Sequence, residues 1–167
     1  MQIRTEQEDD TMAIRLVNEA AFETSAEANL VTVLRQQARP VISLVAEDGG
    51  AIVGHILFSP VVLPGHPERK IMGLAPMAVL PEHQRKGVGS ALVRVGFAAC
   101  KKLGVGAVVV LGHPDYYPRF GFKPATRFDI VSEYEVPEEV FLLVELEPGY
   151  LASVSGTVKY HSAFNDL

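Results

Sequence analysis

Apolar positions along this chain change period several times, and each change marks an element. "QIRTE", from Gln2 to Glu6, alternates as a short strand. From about Asp10 to Phe22 the apolar residues Ile14, Val17 and Ala21 recur at helical spacing. A second helix is expected from about Ala26 to Gln37, with Leu30, Val33 and Leu34 on one face and Pro40 following its end. "ISLVAEDGGAIVGHILFSPVVL" is two β-rich runs joined by Asp48-Gly49-Gly50, residues that tolerate positive φ, and predicts a hairpin. After the turn "PGHPE", the run "KIMGLAPMAVL" predicts another strand, and Pro76 inside it predicts an irregularity, because proline cannot donate to a sheet ladder.

A longer helix is expected from about Gly89 to Leu103. Val88, Leu92, Val95, Ala99 and Leu103 form its apolar stripe, and Gly104 is placed to end it in a left-handed cap. The strand "AVVVL" (Ala107 to Leu111) follows, then a short helical turn around "PDYYPRF" and strands near "TRFDI" and "VFLLVEL". Strand, helix and strand in that order predict a parallel pair with a crossover helix, and hairpins before and after it predict a mixed sheet. The expected fold class is α/β in a single domain. Its body spans residues 1–147, and residues 148–167, which match no period, form a C-terminal extension packed on that domain.

Composition narrows the classes. A chain of 167 residues with 48% hydrophobic side chains suffices for one sizeable core. The N-terminal "MQIRTEQEDDTMA" is polar and acidic, unlike a leader peptide, and no run approaches ~18 apolar residues, so a soluble cytoplasmic protein without a membrane partner is expected. The single cysteine, Cys100, cannot form an internal disulfide and lies among apolar helix residues, which reads as packing. The five histidines (His55, His66, His83, His113 and His161) show no ligand spacing, so no metal is predicted. A net charge of -5 argues against nucleic acid. The charge is uneven, however: from His83 to Pro114 there are five cations and no acid, leaving -10 for the remainder. Either an anion is held there or the cations solvate one helix face.

"VLPEHQRKGVGSALV", Val79 to Val93, favours the anion. The first N–H groups of a helix have no partner within it, and its dipole places roughly half a positive charge at that end. Gly87 and Gly89 remove Cβ atoms where a phosphate would approach the main chain, and Arg85 and Lys86 add charge at the rim. A Walker A loop is absent. A dinucleotide fingerprint fits badly, since Leu92 holds the third glycine position and the first later acid is Asp115. A third design, Q-x-x-G-x-G, is present as Gln84, Gly87 and Gly89.

On these residues the chain resembles the GNAT-type N-acetyltransferases. "MAVLPEHQRKGVGSALV" is similar to their pyrophosphate motif, and "YYPRFGF" (Tyr116 to Phe122) to their later Tyr-x-x-x-Gly-Phe element, about 30 residues on with a strand between. The order of elements agrees from about Gln2 to Leu146, and the similarity is greatest to a bacterial subgroup with "LGxPxYYxRFGF". The resemblance implies a splayed parallel strand pair, with the pantetheine of acetyl-coenzyme A lying against the backbone of Met77, Ala78 and Val79. It further implies a diphosphate on the amides of Arg85, Lys86, Gly87, Val88, Gly89 and Ser90, with Ser90 otherwise only a helix-start residue. Tyr117 matches the family's general acid, and Tyr116 does not align with it. With an ordinary phenol near 10 and a thiol near 8.5, full proton transfer to the thiolate would be uphill by roughly 1.5 units, about 2 kcal/mol, so a hydrogen bond is the more economical role.

The implied activity is acetyl transfer from acetyl-coenzyme A as cosubstrate directly to a primary amine, small-molecule or peptide. The acceptor and the general base are not marked: Glu23, Glu27 and His113 are candidates that read equally as solvated groups. A non-catalytic acyl-coenzyme A sensor is the alternative. Arg119 is open between a neighbouring carboxylate and the ligand, and a homodimer through the late strands or the C-terminal segment is plausible by the same resemblance.

Overall fold

The computed structural model describes every residue, Met1–Leu167. Its principal elements in chain order are β1 (Gln2–Thr5), α1 (Thr11–Phe22), α2 (Ala26–Gln37), β2 (Ile42–Asp48), β3 (Ala51–Val61), β4 (Ile71–Val79), α3 (Val88–Lys102) and β5 (Ala107–Leu111). Four short strands follow: β6 (Lys123–Pro124), β7 (Ile130–Ser132), β8 (Phe141–Glu145) and β9 (Gly156–Val158). One mixed sheet runs β1-β2-β3-β4-β5-β8-β6, and β7 pairs with β9 in a small parallel ribbon. Only β4 and β5 are parallel in the main sheet, joined through α3 as the strand-helix-strand order requires. No helix is long and apolar enough to cross a membrane.

Both faces of the sheet are covered. Leu92, Val93 and Cys100 of α3 pack with Ile56, Phe58, Met72, Leu74, Val108 and Val110 on one face. On the other, Ile14 of α1 and Leu30 and Leu34 of α2 pack on Val45 and Leu57. Beside them Val109 and Leu143 are covered by Ile130, Leu151, Val154 and Val158. Burial pushes the Cys100 thiol up to about 12, in keeping with a packing role. Helix α3 ends as expected: Gly104 has φ +78°, its N–H donates to the Lys101 carbonyl, and the Val105 N–H donates to that of Cys100.

Three expectations change. The buried face of α3 is Val88, Leu92, Val93, Gly96 and Cys100, while Val95 and Leu103 of the expected stripe are exposed, because the face toward the sheet is rotated from the one the apolar spacing suggests. The stretch "TRFDI" is not a strand: Ala125–Phe128 form a 3-10 turn, Asp129 takes φ +60°, and the strand starts only at Ile130. Phe128 and Ile130 mimic β alternation across this left-handed residue. The segment after Pro148 gave no period because its ordered pieces are three- and five-residue elements, yet Val158 and Phe164 are buried parts of the core.

The feature that positions the site is in β4. Ile56 pairs with Met77 and Phe58 with Leu74, so Leu57 alone faces both Ala75 and Pro76. One extra residue in a strand reverses its facing. Met72 and Leu74 therefore point to the α3 side, and so do Met77 and Val79. Parallel pairing with β5 covers only Ile71–Gly73 against Ala107–Val109, and Leu74–Val79 have no partner on that side. The strands fork there.

Helix α1 is fastened beside the fork by a buried polar group. Asn18 Nδ2 donates to the Ile14 carbonyl (3.0 Å) and lies 3.3 Å from His55 Nδ1, while Ser43 Oγ lies 2.8 Å from His55 Nε2. With the amide N–H directed at Nδ1, the ring carries its proton on Nε2 and donates to Ser43. His55 on β3 is fully buried and pairs with Ala78. Desolvation, with the Arg35 charge second, holds its pKa down to about 3.

The sign of the resulting pH dependence follows. Below the unfolded value near 6.5 the unfolded chain takes up a proton that folded His55 refuses until about pH 3, so stability falls as pH falls across that window, by at most about 1.4 kcal/mol per pH unit. Urea unfolding of wild type and His55→Gln between pH 7 and pH 4 checks this. The wild-type slope should be the steeper, and equal slopes would contradict the assignment.

Candidate active site

A cavity of about 650 Å³ opens where β4 leaves β5. Met77 and Val79 of β4 form one side, and His83, Gln84, Arg85, Gly87, Gly89 and Ser90 a second. Ala21 and Phe22 at the end of α1 close it above, and Tyr116 and Arg119 of the turn after β5 face the glycine loop.

The loop leaves β4 through a 3-10 turn, Pro81–His83, and is tied back by Gln84, whose Nε2 donates to the Val79 carbonyl (3.0 Å). Arg85 and Gly87 both take positive φ, +63° and +86°. A Cβ on Gly87 would meet nothing within 4 Å, so this glycine is there for its backbone angle and an unobstructed surface. The Gln84 N–H donates to Pro81 and the Ala91 N–H to Gly87, while the N–H groups of the six residues between, Arg85–Ser90, have no protein acceptor. These six amides lie at the positive end of a 15-residue helix, where donors without partners are suited to an anion. The helix can leave them unpaired because it is held elsewhere. Burying each of Val88, Leu92 and Val93 contributes roughly 1.5–3 kcal/mol, more than a cap would.

Gly89 serves a different purpose. A Cβ there would lie 2.7 Å from the Tyr116 hydroxyl and 3.5 Å from Met77 Cε, so the missing side chain lets two neighbours close on the first turn of α3. Gly112, at the end of β5, does the same for Tyr117, whose ring carbon Cε2 would be 2.3 Å from a Cβ. The Tyr117 ring stands edge-on to Tyr116 and Phe122, with centroids 5.1 and 5.6 Å away, and packs on the core beside Phe120. Burial first, and Tyr116 second, push its phenol up to about 12.

Of the residues singled out from sequence, Met77, Val79, Arg85, Gly87, Gly89 and Ser90 line the cavity. Lys86, Ala78, Val88 and Tyr117 are not among the lining residues: Ala78 and Val88 are buried, and the Tyr117 ring stands edge-on to Tyr116, which does line the cavity. Lys86, Ala78 and Val88 were expected to act through their backbones. Sequence reasoning missed Ala21, Phe22 and His83 as lining residues, and set aside Tyr116. A signal existed for the last, since Tyr116 and Arg119 are three apart on a short helical turn and share a side. Glu23, Glu27 and His113 are not among the lining residues, and no group of His, Cys, Asp or Glu side chains is arranged to hold a metal.

Comparison with known proteins agrees with this geometry. The Acetyltransferase (GNAT) domain family matches residues 39–124, from β2 through β6. The N-acetyltransferase YjhQ of Escherichia coli is 44% identical over 78% of this chain and 74% of its own length. The N-acetyltransferase YhbS of Escherichia coli is 36% identical over 99% of both chains. The crystal structure of YhbS in complex with CoA superposes with a TM-score of 0.92, covering 98% of this chain and 91% of that one at 35% identity. A GNAT family acetyltransferase from Brucella melitensis, solved with acetyl-CoA, gives 0.80 at 37% identity, covering 98% and 97%. Agreement over essentially the whole length, in sequence and in fold, makes this chain a member of the GNAT acetyltransferase family.

Proposed function

We propose that the chain is an N-acetyltransferase that moves the acetyl group of acetyl-coenzyme A directly to the primary amine of a small-molecule or peptide acceptor in the cytoplasm. The reading rests above all on the run of unpaired amides, Arg85–Ser90, placed at the end of a strand fork. An anionic head on those amides and a thin arm along the free edge of β4 match the two ends of the cavity. The relatives solved with CoA and acetyl-CoA support the same choice.

In this reading acetyl-coenzyme A supplies an activated thioester carbonyl. The amides of Arg85, Lys86, Gly87, Val88, Gly89 and Ser90 bind its diphosphate, and Arg85 and Lys86 add charge from the rim. The main chain of Met77, Ala78 and Val79, free on the β5 side, pairs with the pantetheine as an added strand would and polarises the carbonyl. Tyr117, edge-on to the lining residue Tyr116, is one ring away from the cavity, and a turn of its side chain would let its hydroxyl donate a hydrogen bond to the departing sulfur. Its phenol near 12 lies about 3.5 units above a thiol near 8.5, so complete transfer would be uphill by about 5 kcal/mol, and the hydroxyl acts as a donor that stays protonated. Holding both reactants in one site removes the need for a covalent enzyme intermediate.

Thiol release from acetyl-coenzyme A, followed across a panel of primary amines, tests the function. Turnover with at least one amine is expected, and coenzyme A binding without any turnover would instead make the chain a sensor. Tyr117→Phe should lower kcat by roughly tenfold to a hundredfold while the protein still binds coenzyme A. Gly112→Ala should also lower kcat, because the Tyr117 ring must move from a 2.3 Å contact; an unchanged kcat in both variants would remove Tyr117 from the chemistry.

A further inference from the structure

The wall of the cavity that faces the glycine loop carries two polar side chains, Tyr116 and Arg119, with groups left unpaired. Arg119 is stationed there: its Nε donates to the Tyr116 carbonyl (2.8 Å), and its Cζ lies 4.3 Å from the centroid of the Tyr116 ring. Stacking and this hydrogen bond fix the guanidinium plane while leaving both Nη groups without a protein acceptor. No carboxylate lies within ion-pair distance of Arg119, although acids outnumber bases in the chain by 20 to 15. The Tyr116 hydroxyl also has no protein partner and reaches to Gly89, the fifth of the six residues whose amides are unpaired.

The two walls meet over Gly89. Tyr116 from one side and Met77 from another come to the position where a side chain would otherwise stand. A phosphate on the amides of the loop would therefore have a phenol O–H and an unpaired guanidinium on its far side. Of the two rim cations, only Arg85 lines the cavity, so the loop wall presents a single lysine or arginine side chain there. Coenzyme A brings a diphosphate and a 3′-phosphate. One lining arginine on the near wall leaves much of that charge unmatched.

We propose that Tyr116 and Arg119 form a second wall of the phosphate site, in which the Tyr116 hydroxyl and the Arg119 Nη groups bind phosphate oxygens of the cofactor across from the amides of Arg85–Ser90. This rests on the reading that the cavity takes coenzyme A. It gives Gly89 its role: the bare position lets the phenol approach the first turn of α3. It also assigns a function to the first tyrosine of the pair, which does not align with the family's acid.

Calorimetric titration of wild type, Tyr116→Phe, Arg119→Gln and Arg119→Lys with coenzyme A and with dephospho-coenzyme A is the test. Arg119→Gln should weaken coenzyme A binding by roughly tenfold or more, Tyr116→Phe by roughly threefold to tenfold, and Arg119→Lys should recover part of the loss. The melting temperature of each unliganded variant reports whether the fold is kept. Equal weakening of both ligands by Arg119→Gln places the guanidinium on the diphosphate; weakening of coenzyme A alone places it on the 3′-phosphate. Either supports the second wall. Wild-type affinity in Tyr116→Phe and Arg119→Gln overturns it while leaving the acetyltransferase reading intact, whereas a wild type that binds neither ligand overturns both.

Discussion

The site depends on one extra residue in β4. Because Leu57 faces both Ala75 and Pro76, the strand reverses its facing midway and Met77 and Val79 point toward α3 instead of away from it. The same irregularity coincides with the end of pairing to β5, since no ladder bond is made beyond Gly73 and Val109. A regular strand would stay zipped to β5, and no opening would lead to the mouth of α3. The remainder of the fold holds this defect in place: α3 packs from one side, and α1, fastened by the Asn18–His55–Ser43 group, from the other.

The second element is electrostatic. Unpaired backbone donors are usually a liability, yet here six occur in succession, four of them on residues that line the cavity (Arg85, Gly87, Gly89 and Ser90). They are tolerable because water can reach them and because α3 derives its stability from an apolar stripe rather than from its cap. A net-negative protein thereby presents a locally positive pocket without a large patch of lysines. Binding through main-chain donors, as proposed, would make most side chains in the loop exchangeable and leave the glycines to carry the signature.

Much of this was legible in the sequence, and the reasons differ by residue. Gln84, Gly87 and Gly89 announced a loop at a helix start because spacing and missing Cβ atoms are local properties. Pro76 announced an irregular strand for the same reason. The reversal of facing that follows from it needed the partner strand, since only the pairing of Ile56 and Phe58 shows where the extra residue lies. Tyr117 is singled out by motif alone; its edge-on place beside Tyr116, and its phenol near 12, come from packing among Phe120, Phe122 and Gly112. Ala21 and Phe22 carry no chemical mark and enter the site only because α1 crosses above it. The stretch near Asp129 misled because one left-handed residue interrupts an apolar alternation that a sequence shows as continuous.

The central claim is that the amides of Arg85–Ser90 are the grip on the cofactor. Backbone amide NMR of the labelled protein, titrated with coenzyme A, reads those six groups individually. The account predicts large shifts and slowed hydrogen exchange confined chiefly to Arg85–Ser90 and to the free edge of β4 from Met77 to Val79. Saturating coenzyme A that leaves the six amides unmoved, or shifts a set elsewhere in the sheet, would contradict it.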